Sequence, residues 1–205
     1  MSIRNKKDDP RVKRTRQLLN AALIALIRDK GYEKITVQDL AERAGLNRAT
    51  FYLHYNDKHD LTEQSTDEIM LELGDRLRTA GVSEDMKIFD FRSDKPHPTF
   101  VHLFEHVELH ADYYKVMLIE TRMPYFTSRL INAITEFIST GLLAVQPDDR
   151  LLTAPRDMLV RYTAAAFVEV IVWWLENDTP YSPKFMSAKL MKIAIYGPYA
   201  ADPFA

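Results

Sequence analysis

Apolar residues along the chain recur mostly three or four positions apart, and no segment sustains the alternation of a β-strand. A spacing of three or four places apolar side chains on one face of an α-helix. In the first segment that face comprises Leu19, Ala22, Leu23, Leu26 and Ile27. The pattern predicts an all-α protein, with helices near residues 11–29, 37–44, 48–55, 58–79, 99–110, 112–119, 125–145, 155–177 and 183–196.

Residues that favour helix ends stand between these segments. Gly31 follows the first helix and can adopt a positive φ. Thr36, with Asp39 three residues later, predicts a capping box, and Asn47 and Asp57 are good N-caps for the next two helices. Residues 81–98 lack clear periodicity and contain two prolines, which predicts a connector.

Residues 37–55, VQDLAERAGLNRATFYLHY, form two short predicted helices around the turn Gly45-Leu46-Asn47. Gly45 allows a sharp turn, Leu46 fills the space between the helices, and Ala49 with Phe51 or Leu53 can pack back against the first helix. This arrangement is typical of a helix-turn-helix, whose second helix fits the DNA major groove. Because such helix pairs also occur in proteins that do not bind DNA, the spacing alone does not decide between a DNA-binding motif and a purely structural helix pair.

Charge is unevenly distributed along the 205 residues, although the net charge is only −2. Residues 1–61, here called the head, hold 13 Lys and Arg against 8 Asp and Glu, whereas residues 62–205, the body, hold 14 against 21. A basic head is expected to meet a polyanion. Its basic arm, which either follows DNA or is a solvated tail, contains Arg4, Lys6, Lys7, Arg11, Lys13 and Arg14.

Composition excludes several classes of protein. An apolar fraction of 46% argues against disorder, and the absence of Cys excludes a disulfide framework and a thiolate zinc site. The first ten residues lack the apolar core of a secretory signal. The longest apolar stretch, near residues 162–175, is interrupted by Glu169 and is too short for a membrane span. These features predict a soluble cytoplasmic protein.

Residues 35–61, ITVQDLAERAGLNRATFYLHYNDKHDL, resemble the DNA-binding domain of the tetracycline-repressor (TetR) family of bacterial transcription regulators. The pattern departs at Asn47, where the family usually has Ser or Thr. The positions that match are Thr36, Leu40, Ala41, Ala44, Gly45, Leu46, Ala49, Thr50, Phe51, Tyr52, His54, Tyr55, Lys58 and Leu61.

The resemblance implies a cytoplasmic, ligand-responsive repressor that binds a palindromic operator in double-stranded DNA as a homodimer. It implies a head, residues 1–61, that binds DNA, and a body, residues 62–205, that dimerises and binds a small effector. Arg48 is the candidate for base readout, and Phe51 and Tyr55 are expected in the core. The expected DNA-binding residues are Thr36, Asn47, Arg48, Ala49, Thr50, Tyr52, His54 and Lys58.

The body offers two long apolar helices and many aromatic residues. The last two helices either complete the core of a single chain or pair across a two-fold axis, and the second interpretation is favoured. The expected interface residues are Tyr162, Ala165, Ala166, Phe167, Val170, Trp173, Leu190 and Ile193. An apolar effector is expected to contact Phe100, Phe104, Tyr114, Met117, Phe137 and Glu169, although each aromatic could be plain core, and Glu169 could instead pair with Arg161.

His102, His106 and His110 stand four residues apart on one predicted helix. Two His at that spacing can chelate Zn or Ni, but a solvated or pocket-lining face is the favoured interpretation, and we expect no metal or cofactor. No nucleophile–base pair or Gly-rich phosphate loop predicts an enzyme. The alternative function is a TetR-like interaction protein without a specific operator or effector.

Overall fold

The computed structural model describes residues 9–79 and 95–197, and within these ranges it contains helices and no strand. The helices are α1 (Pro10–Lys30), α2 (Val37–Arg43), α3 (Arg48–Tyr52), α4 (Lys58–Thr79), α5 (Pro98–Leu109), α6 (Ala111–Tyr114), α7 (Pro124–Val145), α8 (Arg156–Glu176) and α9 (Pro183–Tyr196). Short 3₁₀ turns lie at Tyr32–Lys34 and Asp149–Leu151, and a π-helical turn, Lys115–Glu120, follows α6. The predicted all-α fold is confirmed.

Most helix boundaries agree with the sequence within one or two residues, and two differ. The third helix ends at Tyr52 rather than near residue 55. The helix expected at residues 112–119 is divided into α6 and the wider π-helical turn. Of the predicted connector at 81–98, only its end lies within the described residues.

The head has a small core between α1, α2, α3 and the start of α4. The predicted apolar face of α1 is buried as expected. Phe51 and Tyr55 are also buried, which confirms their expected core positions, and they pack with Leu40 and Leu61. Leu53 is 81% exposed, so Phe51 alone packs back between the two short helices.

The body is built around bulky side chains. The long helix α7 packs between α4 and α8, while α5 packs against α4 and α9. The rings of Phe104 and Trp174 meet edge to face, as do those of Tyr114 and Phe126. Each of these four side chains is fully buried. These aromatic side chains of the body therefore pack in its own core.

Helix α4 belongs to both parts, because it begins in the head and ends between α5 and α7. Side-chain contacts reinforce the connection. Arg28 at the end of α1 donates to Asp112 at 3.0 Å and to Glu120 at 3.2 Å, both near α6. Arg16 of α1 also pairs with Glu68 of α4. The head and the body are thus joined by α4 and by polar contacts on one side of it.

One described helix, α8, is long and apolar enough by length and composition to cross a membrane, and 39% of its most apolar window is buried in the protein. The helix is longer than the apolar stretch near residues 162–175, whose short length was the reason to expect no membrane span. A core helix of a soluble protein meets the same criterion, so this single helix is weak evidence for a membrane segment.

Candidate nucleic-acid interface

The turn between α2 and α3 has the geometry that its glycine permits. Gly45 has a φ of 67°, in the region that side chains with a Cβ rarely adopt. The amide of Leu46 donates to the carbonyl of Ala41 at 2.8 Å, and the Leu46 side chain packs against the head core. The turn therefore fixes the angle at which α3 leaves α2.

Both short helices begin at the predicted caps. The side chain of Asn47 accepts from the amide of Thr50 at 2.7 Å and from its hydroxyl at 2.9 Å. At the start of α2, Thr36 and Asp39 form the expected capping box. The hydrogen bonds from Lys30 and Thr36 hold the pKa of Asp39 well below its usual range. Asn47 and Thr36 thus have structural duties that precede any contact with DNA.

The outer face of α3 is exposed and carries one cation. Arg48 and Ala49 are exposed, and Tyr52 is 48% exposed. The guanidinium of Arg48 lies over the ring of Tyr52, 5.4 Å from its centroid, and donates to its hydroxyl at 3.0 Å. The two side chains therefore form one cationic and aromatic unit on this face.

Lys58, the first residue of α4, is held against the start of the head. Its ammonium donates to the backbone carbonyls of Tyr32 and Glu33 at 3.0 and 2.9 Å and lies 4.8 Å from the centre of the Tyr32 ring. An ammonium has three donors, so one remains for an anion. Lys58 both fastens the segment after α1 and carries a charge beside it.

The other expected contact residues are placed less uniformly. Thr50 is half-buried, with its hydroxyl committed to Asn47. His54 is also half-buried, and burial, together with the nearby positive charge of Arg16, lowers its pKa. In the predicted basic arm, Arg11, Lys13 and Arg14 are exposed on the first turns of α1, while Arg4, Lys6 and Lys7 lie outside the described residues.

Among the exposed head residues outside the sequence-predicted contacts, Leu53 and Gln38 lie close to the predicted ones. Leu53 stands directly after α3, and Gln38 lies on the first turn of α2, where it donates to Glu42 at 2.5 Å. The sequence signal for Gln38 is its position two residues after Thr36, an expected DNA contact. Leu53 has no such signal, because the predicted helix was three residues longer.

Four of the six expected effector contacts lie in the core of the body. Phe100, Phe104, Tyr114 and Met117 are buried against other side chains and line neither of the two depressions described here. Phe137 is buried but borders a pocket of about 400 Å³ between α4 and α7. Glu169, expected inside the apolar run, is exposed on a groove of about 1670 Å³ between α7 and α8.

The expected interface residues on the last two helices divide into two groups. Phe167 and Leu190 are 1% and 5% exposed and pack in the core of the single chain. Ala166 and Val170 are half-buried. The exposed members are Tyr162, Ala165, Trp173 and Ile193, joined by the equally exposed Met158, Tyr181, Phe185 and Tyr196.

The histidines on α5 do not share one environment. His102 is partly exposed beside Glu105, with 3.4 Å between Nδ1 and the carboxylate. His110 is half-buried, and His106 is fully buried. The favoured interpretation as a solvated or pocket-lining face is wrong for His106, which points into the contact between α5 and α4.

A helix-turn-helix in a basic head, followed in the same polypeptide by a larger helical body, is the arrangement of a DNA-binding regulator. The model of bacterial regulatory proteins of the TetR family matches residues 18–64, and that of a transcriptional regulator C-terminal region matches residues 94–196, half of the chain. The protein belongs to the TetR family of bacterial transcriptional regulators.

Individual relatives are distant. The chain is 26% identical over 172 residues, 84% of its length, to the HTH-type transcriptional regulator YxbF of Bacillus subtilis, and covers 42% of that protein. It spans less than half the length of the curated relatives that it matches.

Among solved structures, the fold resembles the fatty acid degradation regulator FadR of Bacillus halodurans. The TM-score is 0.69, the identity 18%, and the match covers 94% of this chain and 98% of that one. FadR of Bacillus subtilis in complex with stearoyl-CoA gives a TM-score of 0.63, with 18% identity and coverage of 89% and 99%. At such identities the likeness concerns the fold.

Proposed function

We propose that this TetR-family regulator binds a palindromic operator as a homodimer in the cytoplasm, and that it acts as a ligand-responsive repressor rather than as an enzyme. The observation that carries the proposal is the face of α3, where Arg48 and Tyr52 are exposed on a helix of fixed direction. A face of this kind fits the major groove, where Arg is the commonest partner of guanine.

The cations of the head have different roles in this proposal. Arg48 reads a base pair, since its guanidinium offers two parallel donors on an exposed helix. Lys58 contacts a phosphate with the donor that Tyr32 and Glu33 leave over. Arg11, Lys13 and Arg14 approach the DNA backbone from the start of α1. The backbone contacts of Lys58 and of the α1 cations carry no sequence information, but their contribution to affinity depends strongly on salt.

The homodimer forms through the exposed apolar faces of α8 and α9. Tyr162 is 73% exposed, Ile193 52% and Trp173 44%, an unusual amount of large apolar surface for a face that stays in water. Trp173, Tyr181 and Phe185 stack in one row on this face. A two-fold axis through it places two copies of α3 on the same side of the dimer, as two half-sites require.

Operator binding of two single variants tests the DNA contacts. Arg48→Ala should cost about 1–3 kcal/mol on the cognate operator and relax the preference at one base pair per half-site. Lys58→Ala should weaken binding to all sequences and lower the slope of log affinity against log salt by about one unit. The measurement is fluorescence anisotropy at several salt concentrations, on an operator selected by the wild-type protein from random duplexes.

Arg43→Ala is the matched control, because it removes the same charge from the exposed end of α2, where Arg43 pairs with Asp29 at 3.0 Å. It should retain the wild-type base preference. Identical behaviour of Arg48→Ala and Arg43→Ala on every sequence would refute readout by α3. Failure of the wild type to enrich any sequence would refute the operator itself.

The effector is proposed to enter the pocket between α4 and α7. Its volume of about 400 Å³ is that of a small-molecule site. Its walls combine apolar residues such as Met70, Leu77 and Phe137 with polar groups such as Arg129. Because one wall is α4, a ligand that prefers one position of this helix changes the placement of the head.

Two substitutions on α7 distinguish this pocket from the larger groove. Ala133→Phe fills the pocket beside α4, whereas Ile131→Phe enters the groove beside α8. Both variants should bind the operator like the wild type. Only Ala133→Phe should lose the response to compounds that, from a library screen, release the wild-type protein from its operator. Loss of the response in Ile131→Phe alone would move the effector to the groove.

A further inference from the structure

Two histidines and a glutamate meet where α5 crosses α4. His106 and His110 lie one turn apart on α5, and their rings are 4.7 Å apart between centroids. Glu72 on α4 faces both, with its carboxylate 3.1 Å from Nε2 of His110 and 3.8 Å from Nδ1 of His106. One ligand atom from each of the three residues lies within 4.8 Å of the others.

His106 is the unusual member of this cluster. Its side chain is fully buried, and neither ring nitrogen has a hydrogen-bond partner among the residues that the structure describes. A buried polar group without a partner is costly and is rare in stable proteins. A neutral imidazole offers one nitrogen lone pair that can bind a metal ion.

We propose that Glu72, His106 and His110 bind a divalent first-row transition metal ion, such as Zn²⁺, Ni²⁺ or Co²⁺, between α4 and α5. Two imidazole nitrogens and one carboxylate are a common ligand set for such ions. Tetrahedral ligands about 2.1 Å from zinc lie roughly 3.4 Å apart, so small side-chain rotations bring the three groups to that spacing.

The surroundings favour this class of ion over magnesium or calcium. Those cations require several oxygen ligands, whereas the cluster offers one carboxylate and two nitrogens. Arg76 donates to Glu72 from Nε at 3.0 Å and from Nη2 at 2.8 Å, which orients the carboxylate and offsets part of its charge. Glu72 and His110 remain partly exposed, at 40% and 26%, and provide the path for entry.

Metal binding to the full-length chain tests the site without DNA. Protein treated with EDTA is titrated calorimetrically with ZnCl₂, NiCl₂ or CoCl₂, and with MgCl₂ as the negative comparison. The expected result is saturable binding of one transition-metal ion per chain and none of magnesium. Co²⁺ should give visible absorption bands of a nitrogen-ligated ion, and the melting temperature should rise with metal.

Three substitutions locate the ion. Glu72→Gln and His110→Ala should each weaken binding at least about tenfold, on the scale seen when groups that support a metal site are removed. His102→Ala is the matched control, since it removes a histidine of the same helix outside the cluster, and it should bind like the wild type. Circular dichroism checks that all three are folded.

Two results would overturn the metal-site proposal. No saturable binding of the three transition metals to the wild type would overturn the proposal. An equal loss in His102→Ala and His110→Ala would do the same, because it would place the ion elsewhere on α5 or at its surface. Neither result bears on operator recognition, which rests on α3 and not on this cluster.

Discussion

The head and the body of this protein are held together by different kinds of contact. In the head, side chains cap the helix starts: Asp9, Thr36, Asn47 and Asp57 each accept from an amide within the next three residues. In the body, α7 and α8 begin without a side-chain cap. Their positions are set instead by large buried side chains such as Phe126 and Trp174. Side-chain caps are thus found at helix starts throughout the head, whereas in the body they are present at α5 and α9 but absent from α7 and α8, which depend on long-range packing.

The largest predicted effect comes from the two tryptophans, which are sequence neighbours with opposite environments. Trp174 is fully buried, contacts Phe104, and donates to the carbonyl of Tyr181 at 2.9 Å. Trp174→Ala should lower the free energy of unfolding by about 3–5 kcal/mol. Urea unfolding followed by circular dichroism at several protein concentrations measures this loss, which should be present at every concentration.

Trp173→Ala is the control for that experiment. Trp173 is 44% exposed on the proposed dimer face, so its loss should affect folding of the subunit little and association strongly. Light scattering should show dissociation at concentrations where Trp174→Ala, when folded, is still a dimer. A similar loss of intrinsic stability in both variants would mean that both rings belong to one core.

A smaller effect is predicted for the cap of α2. Thr36→Ala removes one half of the capping box with Asp39 and should cost about 1 kcal/mol. Thr36→Ser keeps the hydroxyl and should restore most of that loss. Amide hydrogen exchange monitored by NMR should show faster exchange in α2 of the Ala variant and no change in α7. Equal exchange in the Ala and Ser variants would show that the hydroxyl is not what holds the start of α2.

The sequence predicted the head well because its determinants are short-range. A cap and its amide are at most three residues apart, and the turn at Gly45 needs only one unusual φ. The buried face of α1 follows directly from its helical spacing. The sequence left open whether Phe51 or Leu53 packs back, because that depends on where α3 ends. It ends at Tyr52, and a side chain beyond a helix end no longer follows the helical phase.

The body was harder because α8 is apolar over most of its circumference. Periodicity shows which residues share a face, but it does not show which face meets the subunit's own core. Phe167 therefore could not be separated from Trp173 by sequence, although one is buried and the other exposed. The same holds for the cluster of His106, His110 and Glu72. The spacing of the two histidines is visible in the sequence, but their contact with Glu72 is not, because Glu72 is 34 positions before His106 in the chain.

Helix α4 also has a mechanical consequence, which follows from its length. Its 22 residues span about 33 Å, at a rise of about 1.5 Å per residue. As a stiff lever arm pivoting at its body end, it converts an angular change of about 5° into a displacement of about 3 Å at Lys58. Opposite swings in two subunits would alter the distance between recognition helices by about 6 Å, against a half-site spacing of about 34 Å. In the proposed dimer, a rotation of about 5° in each subunit would therefore be enough to move the two α3 helices away from the half-site spacing of the DNA.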